Sequence, residues 1–164
     1  MNPSWLIPAV GNILVPVAGV SHVSPEISWF FYSIGLILWI VLLAIFFNRI
    51  IFHKPLPERL LPTLFILIAP PSVAFLSYVK LTGFINEFTR ILYYFALFLV
   101  ALLCSQLKMF WKIKFYLSWW AYSFPISAVT IASIVMFHET GIYFQSAFFH
   151  AVCIALYPYP NSAC

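Results

Sequence analysis

The sequence predicts an all-α membrane protein of about six transmembrane helices, and three observations carry that expectation. Hydrophobic residues make up 64% of the 164 and charged residues 7%, against about 45–50% and roughly 25% in a soluble domain. Apolar runs recur at close to the length of about 20 residues that a helix needs to cross a bilayer. Basic residues cluster on alternate connections between those runs. A mean hydropathy of +1.02 leaves too little polar surface to cover the chain in water. A soluble enzyme, a nucleic-acid-binding domain and a disordered segment are thereby excluded.

The runs follow one another along a single transmembrane domain, residues 1–164. Trp5–Val20 is short and is expected to be broken by Pro8 and Pro16. Ile27–Ile51 is long and strongly apolar. Leu60–Val79 carries Pro70-Pro71 near its middle. Phe88–Leu107 is uninterrupted, and Phe115–Phe137 carries Pro125. Ile142–Tyr157 is short and ends in Tyr157-Pro158-Tyr159-Pro160, which cannot continue a helix. The N-terminus lacks a basic region and reads as no signal peptide.

Charge sets the orientation. Arg49, Lys54 and Arg59 fall between the second and third spans, and Lys108, Lys112 and Lys114 between the fourth and fifth. The other side carries Lys80 and Arg90 with Glu26, Glu87 and Glu139. By the positive-inside rule, 48–59 and 108–114 are expected to be cytoplasmic. Trp29, Trp111, Trp119 and Tyr157 fall near the predicted interfaces, as an aromatic belt requires.

The spans alternate in character. The first, third and fifth contain proline and more small and hydroxyl residues; the second, fourth and sixth are bulkier and lack internal proline. Three repeated hairpins follow, each with a kinked inner helix and a plain outer one, a pattern typical of transport proteins. Proline frees a backbone carbonyl, and lipid cannot satisfy it, so the kinked helices belong inside. The alternative is incidental kinks among tightly packed helices.

The fifth span is the most informative. Ser123, Ser127 and Thr130 lie at i, i+4 and i+7, on one face of a helix. Uncharged hydroxyls offer donors to an anion without holding it too tightly; equally, they can bond back to their own helix carbonyls. Phe124 lies about 100° around the helix from Ser123, beside Pro125, where its ring could plug a pore or simply face lipid or core. In the third span Ala69, Ser72 and Leu76 share a face beside Pro70 and Pro71. That face suits a pore wall or close helix packing.

Enzyme chemistry finds little to use. There is no Asp, and the four Glu all lie at span ends or in loops. His22, His53, His138 and His150 form no HxxxH or HExxH pattern, and no metal site is expected. Cys104, Cys153 and Cys164 show no CxxC spacing. No phosphate-binding loop or nucleophile elbow occurs. Apart from His150, no ionisable residue lies within a span, which favours a passive gated route over proton coupling.

Three stretches carry a family resemblance: Trp5-Leu6-Ile7-Pro8-Ala9-Val10-Gly11-Asn12, residues Leu56–Pro71, and Trp119-Trp120-Ala121-Tyr122-Ser123-Phe124-Pro125. Together they resemble the family of the tellurite-resistance protein TehA, the slow-type anion channels of plant guard cells, and malate and sulfite transporters. The resemblance covers about residues 5–145. It implies five hairpins, ten helices in all, around a central pore, with odd helices inside and even helices outside. It also implies a homotrimer with one pore per subunit and a phenylalanine plug on the ninth helix, which falls on Phe124. The six spans then correspond to helices five to ten, the C-terminal part of a longer protein, although the tail after Tyr157 departs from an ordinary last helix.

The expected function is that of a multi-pass channel or transporter of the bacterial inner membrane. Small inorganic anions, or C4-dicarboxylates such as malate, would pass Pro8, Ala69, Pro70, Pro71, Ser72, Ser123, Pro125, Ser127 and Thr130, with Phe124 as the gate. The partners implied are the lipid bilayer and small anions, with no nucleic acid and no cofactor. The competing readings are a non-conducting remnant or accessory membrane subunit, and, further off, an intramembrane enzyme.

Overall fold

The computed structural model describes residues 5–22, 24–52, 58–106 and 117–141. The expected sixth span, Ile142–Tyr157, and the loop 108–114 lie outside the described residues, as do residues 53–57 of the loop 48–59. Five α-helices are described: α1 Leu6–Gly19, α2 Pro25–Phe52, α3 Ala69–Thr82, α4 Glu87–Ser105 and α5 Ser123–Thr140. Two 3-10 segments, Glu58–Ile68 and Leu117–Tyr122, run straight into α3 and α5. No strand occurs among the described residues. The protein is an all-α membrane protein, with four stretches long and apolar enough to cross a bilayer: Pro25–Phe52, Leu61–Thr82, Glu87–Ser105 and Trp120–Thr140.

Proline decides how the inner helices are built. Pro70 and Pro71 fall in the first turn of α3, and Pro125 in the first turn of α5. There a missing N–H costs least, because the first turn of an α-helix has no i−4 carbonyl to bond. The chain upstream is wound as 3-10 helix, a tighter winding common at the N-termini of α-helices. The third and fifth spans are therefore two-part rods jointed at proline. The short first span differs from expectation. Pro8 sits in its first turn and Pro16 in its interior, yet α1 runs unbroken to Gly19. The loss of one backbone bond at Pro16 is borne by a helix whose Leu6, Ala9, Val10 and Ile13 are all buried in packing.

Helix α3 is the hub, touching α1, α2, α4 and α5. Of its most apolar stretch 72% is buried, against 22% for α2. Side by side, α1, α3 and α5 form one row, with α2 laid against α1 and α4 against α3. The inner-and-outer division is therefore clear for the first hairpin. It is reversed between α4 and α5, expected as an outer and an inner helix of neighbouring hairpins: α4 is 44% buried and α5 33%, because α4 also packs on the 3-10 segment Glu58–Ile68 while α5 leaves one flank open at Phe124, Ile131 and Ile134.

Few polar ties cross the apolar packing. The Ser77 hydroxyl donates to the Ile13 carbonyl at 2.5 Å and joins α3 to α1. The Tyr93 hydroxyl donates to Ser133 Oγ at 3.1 Å and joins α4 to α5. Tyr32 reaches the Ala74 carbonyl at a long 3.4 Å. Trp29, expected as an interface anchor, stands edge-on to Tyr32 and Tyr78, with ring centres 5.8 and 5.7 Å away. That cluster pins α2 to α3. Gly83 ends α3 with a left-handed φ of 76°. Asn86 and Thr89 then form a reciprocal capping box that starts α4.

Helices α1 and α2 cross most closely at Gly35. A Cβ there would lie 2.8 Å from the Ile13 nitrogen and 3.0 Å from the Ala9 carbonyl oxygen. Both are backbone atoms and cannot swing away. Gly35→Ala is expected to force the hairpin apart and destabilise the protein by about 1–3 kcal/mol, the usual cost of overpacking. Thermal unfolding of the purified protein in detergent measures it; an unchanged midpoint would mean that the crossing is looser than described.

Candidate functional site

Two cavities lie along the row α1–α3–α5. The first, about 360 Å³, is walled by Ile7, Val10 and Gly11 of α1, by Ile66 and Ala69 at the joint before α3, and by Trp120, Ala121 and Pro125. The second, about 520 Å³, is walled by Val17, by Val73, Leu76 and Lys80 of α3, and by Ser127, Ala128 and Ile131 of α5. Two side chains, Leu14 and Phe124, face both cavities. One is aliphatic and one aromatic, and both stand where the two cavities adjoin. Along all three helices the residue numbers rise from the first cavity to the second. The inner helices therefore run parallel, with the 3-10 segments at the first cavity and the helix C-termini at the second.

The joint at Pro125 positions Phe124. Phe124 is the second residue of α5, where 3-10 winding gives way to α. Its side chain is 47% exposed and reaches into the cavities, while Pro125 beside it is buried. Next to it, Phe65 and Tyr122 meet edge-on at 6.3 Å and hold the two 3-10 segments together. Opposite, Gly11 keeps the α1 wall open, since a Cβ there would meet nothing within 4 Å.

The other expected site residues divide. Ala69, Pro125 and Ser127 line one cavity or the other. Pro70, Pro71 and Ser72 are buried within the packing of α3 and line neither of these two cavities. Pro8 and Ser123 are exposed and Thr130 half-buried, likewise outside both linings.

The hydroxyl stripe is engaged with its own backbone, the second of its two sequence readings. Ser123 donates to the Trp120 carbonyl at 2.8 Å, Ser127 to Phe124 at 2.9 Å and Thr130 to Ile126 at 2.8 Å. Ser72 does the same to Ile68 at 2.9 Å. Each hydroxyl donates to a carbonyl near a proline joint.

Sequence reasoning did not single out Gly11, Leu14 or Trp120. Ile7, Gly11, Leu14 and Val17 do recur at helical spacing. In so apolar a chain that stripe looks the same whether it meets lipid, core or a cavity. Among the described residues no three His, Cys, Asp or Glu side chains gather as a metal would need.

The comparisons with known proteins agree with this architecture. The family model of the voltage-dependent anion channels matches residues 1–158. The S-type anion channel SLAH3 of Arabidopsis thaliana is 36% identical over 133 residues, covering 81% of this chain and 21% of SLAH3. The S-type anion channel SLAH2 of the same plant is 34% identical over 142 residues, 86% of this chain and 27% of that one. The uncharacterized transporter MJ0576 of Methanocaldococcus jannaschii is 29% identical over 188 aligned positions, 94% of this chain and 54% of the transporter. The chain thus spans between about a fifth and about half of the length of these relatives. Apolar spans, proline-jointed inner helices and this match over nearly the whole sequence lead to one assignment: the chain belongs to the voltage-dependent anion channel family.

Proposed function

We propose that the row α1–α3–α5 is the wall of an anion-conducting pathway and that the Phe124 ring closes it. The observation that carries this reading is the boundary between the cavities: Phe124 and Leu14 are the two side chains shared by both. A hydrophobic constriction bars an ion by stripping its water without offering a replacement. Moving one ring joins the two chambers, so a small displacement at the Pro125 joint suffices for opening. Substrates are small inorganic anions such as chloride or nitrate, or C4-dicarboxylates such as malate. The walls offer no cofactor or reactive group a role, and the activity is transport without catalysis.

The pathway works without tight binding. Hydroxyls that already donate to carbonyls give a passing anion no free donor unless a backbone bond breaks. An anion therefore meets weak sites from which it leaves quickly, as conduction requires. In this reading the whole protein is a homotrimer of the bacterial inner membrane, with one pathway per subunit and loops 48–59 and 108–114 on the cytoplasmic side. The second reading is a non-conducting or accessory membrane subunit.

Anion flux into liposomes separates the two readings. Phe124→Ala in the full-length protein is expected to raise chloride or nitrate flux about tenfold or more, the effect of removing about 1.4 kcal/mol of barrier. Equal flux from the intact and substituted proteins would remove Phe124 as the gate, and no flux from either would favour the non-conducting reading. In the open Phe124→Ala protein, Ser123→Ala and Thr130→Val are expected to change flux by less than about twofold, a barrier change of under about 0.5 kcal/mol. A large loss would return these hydroxyls to the role of anion donors. Orientation has its own readout. With the native cysteines replaced by serine, His53→Cys is expected to react with an impermeant thiol reagent only after the cells are permeabilised. Labelling of intact cells would invert the topology.

A further inference from the structure

We infer that Lys80 is the charge that recruits anions into the second chamber and makes that mouth selective for them. The inference rests on the Phe124-gated pathway proposed above and adds a residue that the pathway needs at its other end.

Of the side chains that line the two cavities, Lys80 is the one that carries a charge. It stands in the last turn of α3, exposed, two residues before Thr82 ends the helix, and Gly83 beside it lines the same chamber. No carboxylate among the described residues pairs with it. Its ammonium is therefore open to an ion in the chamber.

The backbone explains why a cation belongs there. The three inner helices run parallel, and all present their C-termini toward this mouth: α1 ends at Gly19, α3 at Thr82 and α5 at Thr140. The carbonyl end of each helix acts as about half a negative charge. An approaching anion thus meets three negative dipole ends. The side chains near this mouth add to the difficulty, since Glu26, Glu87 and Glu139 belong to the same end of the bundle. Against them stand Arg90 on α4 and the imidazoles of His22 and His138, none of which lines the chamber. Lys80 is the cation in the wall itself. A single charge at the mouth of an apolar chamber raises the local concentration of its counter-ion, and its four-carbon stem lets it follow the ion without fixing it.

The experiment uses the full-length protein carrying Phe124→Ala, so that the ring does not limit flow, and compares residue 80 as Lys, Arg, Gln and Glu. Chloride flux into liposomes is read at about 0.01 M and about 1 M salt, where the screening length is about 30 Å and about 3 Å. Lys80→Gln is expected to lower flux at least about threefold at low salt and to match the lysine protein at high salt. Lys80→Glu is expected to lower it further, and Lys80→Arg to preserve it. Flux that ignores residue 80 at low salt would overturn the role of Lys80 and leave the gate intact. A loss that persists unchanged at high salt would also overturn it, because damage to packing is not screened. Absence of flux with Lys80 in place would overturn the gated pathway, and the role of Lys80 with it.

Discussion

Within a bilayer every backbone N–H and C=O must find its partner inside the protein, because lipid supplies none. Proline breaks that rule wherever it stands in a helix. This chain places prolines at 8, 16, 25, 62, 70, 71 and 125 in its described helices, and much of its architecture follows from containing the damage. Where 3-10 winding precedes α3 and α5, Pro70, Pro71 and Pro125 fall in a first α-turn, where no i−4 bond is lost. Packing around α3 then buries the joint at Pro70 and Pro71. Hydroxyls at 72, 123, 127 and 130 give their protons to nearby carbonyls.

The same containment produces the site. Phe124 sits where the 3-10 segment Leu117–Tyr122 gives way to α5, one residue before the buried Pro125. A side chain there is aimed by the backbone and not by its neighbours, which leaves the ring half-exposed in a bundle where most of α3 is buried. The opposite wall is stiffer. Gly35 lets α2 lie against the backbone of Ile13, and Ser77 ties Ile13 to α3, so Leu14 is carried on a braced helix. The boundary between the two cavities therefore has one braced side, at Leu14, and one side that stands at a change of helix type, at Phe124.

Much of this was legible in the residues. Composition fixed the solvent as lipid, and the runs at 27–51, 60–79, 88–107 and 115–137 anticipated the helices to within a few residues. The prolines at 70 and 71 marked the most buried span, whereas the span that carries Pro125 is less buried than α4. The unbroken α1 was not legible, since whether Pro16 ends a helix depends on the packing that holds both sides of it. Nor was the fate of the hydroxyls: Ser123 at a helical spacing is the same whether it faces an ion or a carbonyl, and the choice is made by the 3-10 geometry upstream. Leu14 and Gly11 were hidden for another reason. In a chain that is apolar throughout, an apolar stripe carries no contrast, and hydropathy cannot tell a cavity from a lipid tail.

The lengths of α1 and α2 differ twofold, at 14 and 28 residues, or about 21 Å and 42 Å at 1.5 Å per residue. The hydrocarbon slab is about 30 Å thick. Helix α1 alone would leave its ends short of the headgroups, whereas α2 overshoots and must lean or protrude. The outer helix therefore answers to bilayer thickness, by tilting as the membrane swells or thins. The short helix, whose Leu6, Ala9, Val10 and Ile13 are buried against α2 and α3, is held by its neighbours and not by the headgroups at both ends.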